Sequence, residues 1–175
     1  MKALFLSWFL FFGTFSDYEY QYIKIINLQR KPIVEATLNG KKAYFLLDTG
    51  SDITILNKND TQQYGFHTLV REGEKHEAVG IGGKTSTLTS AYDVYLELGS
   101  TRIITAYLTY DMSDIVKNIS KSSGIEITGI IGSDVMKRYG IVIDYKNKKV
   151  GILNSNKIIL DEKMLSDTKS KWQEN

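Results

Sequence analysis

Asp48, Thr49, Gly50 and Ser51 are the adjacent residues of this chain best suited to chemistry. A carboxylate can take or give a proton, two hydroxyls can donate hydrogen bonds to it, and a glycine lets the backbone turn and approach closely. Leu46-Leu47 precede the group and Ile53-Thr54-Ile55-Leu56 follow it. Apolar runs on both sides of a tight turn read as buried strands entering and leaving, which places Asp48 at a floor between them rather than on a surface loop. A plain strand-turn-strand with polar turn residues would use the same letters, so the rest of the chain must decide.

Few other groups compete. Ala78-Val79-Gly80-Ile81-Gly82-Gly83 is rich in glycine. It lacks the Gly-Lys-Ser/Thr ending of a phosphate loop, and Lys84 to Ser90 is threonine- and serine-rich, hence strand-like rather than helical. A hairpin tip fits better, with three glycines allowing the backbone to bend onto an extended peptide and Ile81 supplying an apolar contact. His67 and His76, the only histidines, stand nine apart without an HExxH context and read as solvated surface residues. Asp48, Asp52, Asp134 and Asp144 show no calcium-loop spacing. With no cysteine there is no thiol nucleophile and no thiolate metal site. The sequence therefore calls for no metal and no cofactor.

A length of 175 residues suits one domain with a real core. A formal charge of +2, from scattered lysines, is too balanced to argue for nucleic acid or an anionic membrane. Lys2 followed by the apolar run Ala3 to Phe12, then Thr14 and Ser16, matches a short secretory signal over residues 1–16, cleaved before Asp17. The run is too short to span a bilayer comfortably, so no stable membrane span is expected, an uncleaved anchor or a buried first strand being the competing readings. The expectation is an exported protein: periplasmic, cell-envelope or extracellular. The folded domain is expected over 17–160, with a polar tail over 161–175.

The elements that would position Asp48 are mostly strands. Tyr18, Tyr20 and Tyr22 alternate before Ile23, Ile25 and Ile26, an expected edge strand. Pro32 opens a strand over Ile33 to Leu38, Asn39-Gly40 supplies a type I′ hairpin turn, and Lys42 to Leu47 returns to Asp48. Asn57 to Tyr64 reads as one or two helical turns closed by Gly65, and Phe66 to Val70 as extended. Tyr92 to Leu98 alternates as one half-buried strand, turning at Gly99-Ser100 into a strand over Arg102 to Tyr110. A polar excursion from Asp111 to Ser123 holds a short helix carrying Ile115, Val116 and Ile119, and ends at Ser122-Ser123-Gly124. Ile125 to Ile131 reads as a buried strand, and Ser133 as the N-cap of a short helix closed by Gly140. A last hairpin joins Ile141 to Tyr145 with Val150 to Leu153, and Ile158 to Leu160 would add a terminal strand.

The run from Leu46 to Leu56 resembles the active-site signature of retropepsin-like aspartic proteases, the single-lobe relatives of pepsin. Gly80, Ile81, Gly82 and Gly83 resemble the family's flap tip. Ile130, Ile131 and Gly132, with the Ser133-Asp134-Val135-Met136 helix, resemble its hydrophobic-hydrophobic-Gly element. The three come in family order between Pro32 and Leu153, although Ser133-Asp134 stands where retroviral members carry Arg-Asn. The resemblance implies an all-β fold, a closed barrel or sandwich with one or two short helices, active as a two-fold homodimer. It implies an aspartic endopeptidase without cofactor, acting on a peptide or protein held extended beneath the flaps. Hydrolysis by aspartate needs two carboxylates about 3 Å apart sharing one proton. The chain has one Asp-Thr-Gly, so Asp48 from each of two chains must meet on the two-fold axis. The family pattern gives Thr49 the task of locking the two turns together and Gly50 that of close backbone approach to the attacking water. Ser51 has two expected partners: its hydroxyl either donates to the Asp48 carboxylate and lowers its pKa, or bonds only to the backbone of its own turn. A catalytically silent peptide-binding module, or a structural β-domain, would carry the same fold.

Overall fold

The Asn39-Gly40 pair sets the geometry of the strands that carry Asp48. Both residues adopt positive φ, 49° and 76°, as a two-residue I′ hairpin requires. They join β2 (Ile33–Leu38) to β3 (Lys41–Leu47) in an antiparallel register running from Leu38↔Lys41 to Ile33↔Leu46. The computed structural model describes residues 19–27, 31–69, 76–79 and 85–154. The expected signal segment, the 80–83 tip, the 158–160 strand and the 161–175 tail lie outside them.

Thirteen described strands are linked through β-ladders, with a few short helices. In chain order β1 (Tyr20–Asn27) precedes β2 and β3. Then come β4 (Ile55–Asn57), a 3-10 turn over Lys58–Asp60, α1 (Thr61–Tyr64) and β5 (His67–Leu69). β6 (His76–Val79), β7 (Thr85–Tyr92), β8 (Leu96–Leu98), β9 (Thr101–Ile103) and β10 (Leu108–Tyr110) lead into α2 (Ser113–Ser123). β11 (Gly129–Ile131), α3 (Ser133–Arg138), β12 (Val142–Asp144) and β13 (Lys149–Leu153) complete the order. The main hydrogen-bonded path, β12-β13-β1-β2-β3-β11-β4-β10-β7-β5, is open among the described residues.

β3 lies near the middle of that path, and its alternation divides the core. Ala43, Phe45 and Leu47 point into one cluster with Val34, Leu56 and Ile131, capped by Val135, Met136 and Tyr139 around α3. Leu46 faces the other way, with Ile33, Ile130 and Ile127, and α2 covers that second face through Ile119, with Met112 just ahead of it. Ile115 and Val116 of the same helix pack against this cluster as well, so α2 seals one side of the sheet. No helix among the described residues is long and apolar enough to cross a membrane.

Several expectations meet the structure unchanged. α1 ends at Gly65 (φ 73°) and α2 at Gly124 (φ 71°), each in the left-handed region that glycine enters without strain. Others are corrected. β1 is not an edge strand, since it pairs with β13 on one side and β2 on the other. The expected strand from Tyr92 to Leu98 is broken at Asp93, where φ is +58°. The Asn39 side chain causes the break to hold, donating to the Asp93 carbonyl (2.8 Å) and accepting from the Tyr95 amide (2.7 Å). The expected strand from Arg102 to Tyr110 is two strands, because side chains capture the backbone between them. The Ile104 amide donates to the Tyr139 hydroxyl (2.7 Å), and the Tyr107 hydroxyl donates to the Ile103 carbonyl (2.6 Å). The strand expected over Ile125 to Ile131 is regular only from Gly129, as the Ile125 amide bonds to the Ser123 hydroxyl (3.1 Å) instead of a neighbouring strand.

Candidate active site

The Asp48 turn is suspended between β3, β11 and β4. β11 runs parallel to β3 and antiparallel to β4, with Ile130 opposite Leu46 on one side and Ile55 on the other. The ladder continues one residue past β3, because the Asp48 amide donates to the Ile131 carbonyl (3.0 Å). The turn closes on itself through the Ser51 amide to the Asp48 carbonyl (3.1 Å). The Gly50 amide donates to Asp48 Oδ1 at 3.0 Å. A Cβ at Gly50 would sit 3.2 Å from that same oxygen, so glycine keeps the approach to the carboxylate open. Asp48 is half-buried, and Thr49 and Gly50 beside it are exposed.

Ser51 takes the second of its two expected partners. Its hydroxyl donates to the Ile53 carbonyl (2.8 Å), not to the Asp48 carboxylate, and so braces the exit of the turn. Serine satisfies nearby backbone in this way in many turns.

The Ile130-Ile131-Gly132 element is brought directly against the turn. Beyond the Asp48–Ile131 bond, the Ser133 amide donates to the Ser51 carbonyl (2.7 Å). Gly132 passes so close to Ile53 that an added Cβ would lie 2.4 Å from the Ile53 oxygen. That contact also corrects the helix start: Gly132 occupies the N-cap position of α3, Ser133 is its first residue, and no side chain caps it. Gly80, Ile81, Gly82 and Gly83 lie outside the described residues. The strands flanking them, β6 and β7, pair antiparallel with Val79↔Thr85 as the last register pair before that segment.

Sequence reading overlooked Thr54. It is fully buried, its hydroxyl donates to Asp134 Oδ1 (2.8 Å), and it accepts from the Gly132 amide (3.1 Å). The signal was available as one polar residue inside Ile53-Thr54-Ile55-Leu56. Asp134 also takes the Thr105 hydroxyl at 3.4 Å through Oδ2. Its carboxylate is therefore directed at hydroxyls in the frame of the turn. Among the described residues, no group of three or more His, Asp or Glu side chains could hold a metal ion.

A β-rich domain that presents one aspartate on a Thr-Gly turn, clamped by a hydrophobic-hydrophobic-Gly strand, has the architecture of the aspartic peptidase class. A protein-family model described as aspartyl protease matches residues 34–135, more than half of the chain. The chain belongs to the aspartyl protease family, in its retropepsin-like branch.

Proposed function

We propose that the protein is an aspartic endopeptidase whose dyad forms from Asp48 of two chains. The observation that carries this reading is the setting of Asp48. Its backbone is tied to Ile131, while its half-buried carboxylate receives the Gly50 amide and keeps acceptor capacity for a proton and a water. The exposed Thr49-Gly50 turn is the surface through which a second chain would approach. Two packed faces on the central strands support a sandwich-like β-domain as the unit that is doubled.

In the dimer two carboxylates about 3 Å apart cannot both ionise, so one holds a proton. The ionised Asp48 takes a proton from the bridging water as its oxygen attacks the scissile carbonyl carbon. The protonated Asp48 of the other chain gives its proton to the carbonyl oxygen. Collapse of the tetrahedral intermediate breaks the C–N bond as the Asp48 that took the water's proton gives it to the amide nitrogen. A hydroxyl of the intermediate returns a proton to the other Asp48, releasing acid and amine and restoring the singly protonated dyad. Thr49 locks the two turns, Gly50 leaves room for the water, and Ser51, Ile130, Ile131 and Gly132 hold the frame. The segment Gly80 to Gly83 covers an extended peptide, with specificity set by side-chain pockets. The basic-apolar-small pattern of residues 2–16 supports export across a membrane.

The test is cleavage of pooled peptides from acidic to neutral pH by wild type and Asp48→Asn. Wild type should cut and the folded mutant should not. A wild type that binds peptides without cutting them would make this a recognition module. Cleavage by Asp48→Asn at the wild-type rate would remove Asp48 from the mechanism.

A further inference from the structure

Asp134 is an acid that the dyad does not use, and it sits in a chain of contacts ending at the Asp48 turn. Thr54 has a single hydroxyl proton, and the structure directs it to Asp134 Oδ1 (2.8 Å). With the proton committed there, the hydroxyl oxygen can present a lone pair to the Gly132 amide (3.1 Å). Gly132 follows Ile131, whose carbonyl holds the Asp48 amide. The backbone at Gly132 also touches that of Ile53, with no room for a Cβ. The other carboxylate oxygen takes the Thr105 hydroxyl, and the same helix grips the neighbouring residue, Arg138 donating to the Ile104 carbonyl (2.8 Å).

We propose that Asp134 is a positioning residue for catalysis: it fixes the Thr54 hydroxyl so that the Gly132 backbone, and with it the Asp48 turn, is held in register. A carboxylate suits this task because it only accepts, so the Thr54 proton has one destination. Without that acceptor the hydroxyl can turn its proton toward Gly132, where two donors would face each other. The buried Gly132 amide then loses its partner, which a packed interior tolerates poorly. The inference rests on Asp48 being catalytic, since displacement by a fraction of an ångström matters most where reacting atoms must align.

The experiment compares Asp134→Ala, Asp134→Asn, Thr54→Val and Thr54→Ser in steady-state cleavage and in residue-resolved amide exchange. Asp134→Ala and Thr54→Val should lower kcat by about 10- to 100-fold with KM changed less than about threefold, the signature of misalignment rather than lost binding. Exchange at Gly132 and Asp48 should quicken by about tenfold, with the β2–β3 ladder unaffected. Asp134→Asn keeps an oxygen toward Thr54, and Thr54→Ser keeps the hydroxyl, so both should stay within about threefold of wild type. Thr54→Val decides the matter if Asp134→Ala does not fold. Unchanged kcat and unchanged exchange at Gly132 would overturn the proposal, as would uniform acceleration across all strands, which marks general loosening. If wild type cleaves nothing, the protease reading fails by itself, and the local exchange pattern still shows whether the latch exists.

Discussion

Asp48 and Asp111 occupy the same local position, each the first residue after a strand, yet their carboxylates meet different donors. Asp111 accepts from the Ser113 amide (3.1 Å), the Ser113 hydroxyl (2.6 Å) and Asn59 Nδ2 (2.9 Å). Those donors, the Ser113 hydroxyl foremost, hold its carboxyl below the usual aspartate range, and the acid serves to start α2. Asp48 receives the amide of Gly50, which has no side chain to offer. The difference is made two residues downstream, by serine in one turn and glycine in the other. Asp111 Oδ1, which carries all three donors, is committed to the start of α2. Among the described residues Asp48 receives one amide, on Oδ1, and keeps lone pairs on both oxygens.

The sharpest way to break this comparison is to neutralise each acid in turn. Asp48→Asn should lower kcat/KM by more than about 100-fold with the melting temperature preserved, since an amide is neither acid nor base. Asp111→Asn should leave kcat/KM within about twofold. Equal losses from both would show that the donors gathered on Asp111 do not separate the two sites.

Converting one turn toward the other comes next. Gly50 lies outside the positive-φ region, so serine is sterically admissible there if the Asp48 carboxylate yields a few tenths of an ångström. A hydroxyl beside the carboxylate would favour its ionised form, as Ser113 does for Asp111. Gly50→Ser should therefore cost about tenfold in kcat and move the acidic limb of the pH profile downward, read from kcat/KM against pH. An upward shift would contradict the comparison.

Asp60 provides a smaller test near Asp111. Burial lifts its carboxyl from 3.8 to about 6, Asn57 opposing the rise and Glu126 adding to it. A raised folded-state pKa means that the protonated form is favoured by folding. This contribution to stability is fully present below about pH 4 and is lost as pH rises through about 6. Asp60→Asn should flatten that slope in denaturation curves taken from pH 4 to 7. Asp60 is half-buried and its charge is screened by solvent, so the gain at neutral pH should be no more than about 1 kcal/mol. The steep slope should persist in Asp111→Asn.

Ser51→Ala should have the least effect on catalysis. Its hydroxyl serves Ile53 rather than Asp48, so the acidic limb should stay in place while stability falls by about 1 kcal/mol for one lost hydrogen bond. A displaced limb would put the hydroxyl on the carboxylate in the working enzyme.

What could be read from the sequence was local. Asn39-Gly40, Gly65 and Gly124 mark turns because their backbone demands are set by neighbouring residues, and Asp48 stood out through its flanking apolar runs. What could not be read depends on distant partners. Asn39 breaks the strand at Asp93 across 54 positions, and Thr54 meets Asp134 across 80. Alternation in β1 shows which face is apolar but not that β13 returns to cover its free edge. The Ser51 hydroxyl had two acceptors within reach, and only the path of the turn decides between them.

The two-chain dyad is tested most directly by holding wild type at fixed concentration, adding Asp48→Asn, and letting the chains exchange before activity is read. If both carboxylates are required, mixed dimers are inactive and random pairing leaves about half the original activity at equal amounts, falling further with excess mutant. Activity unchanged at every ratio would mean that a single chain supplies all the acids it needs.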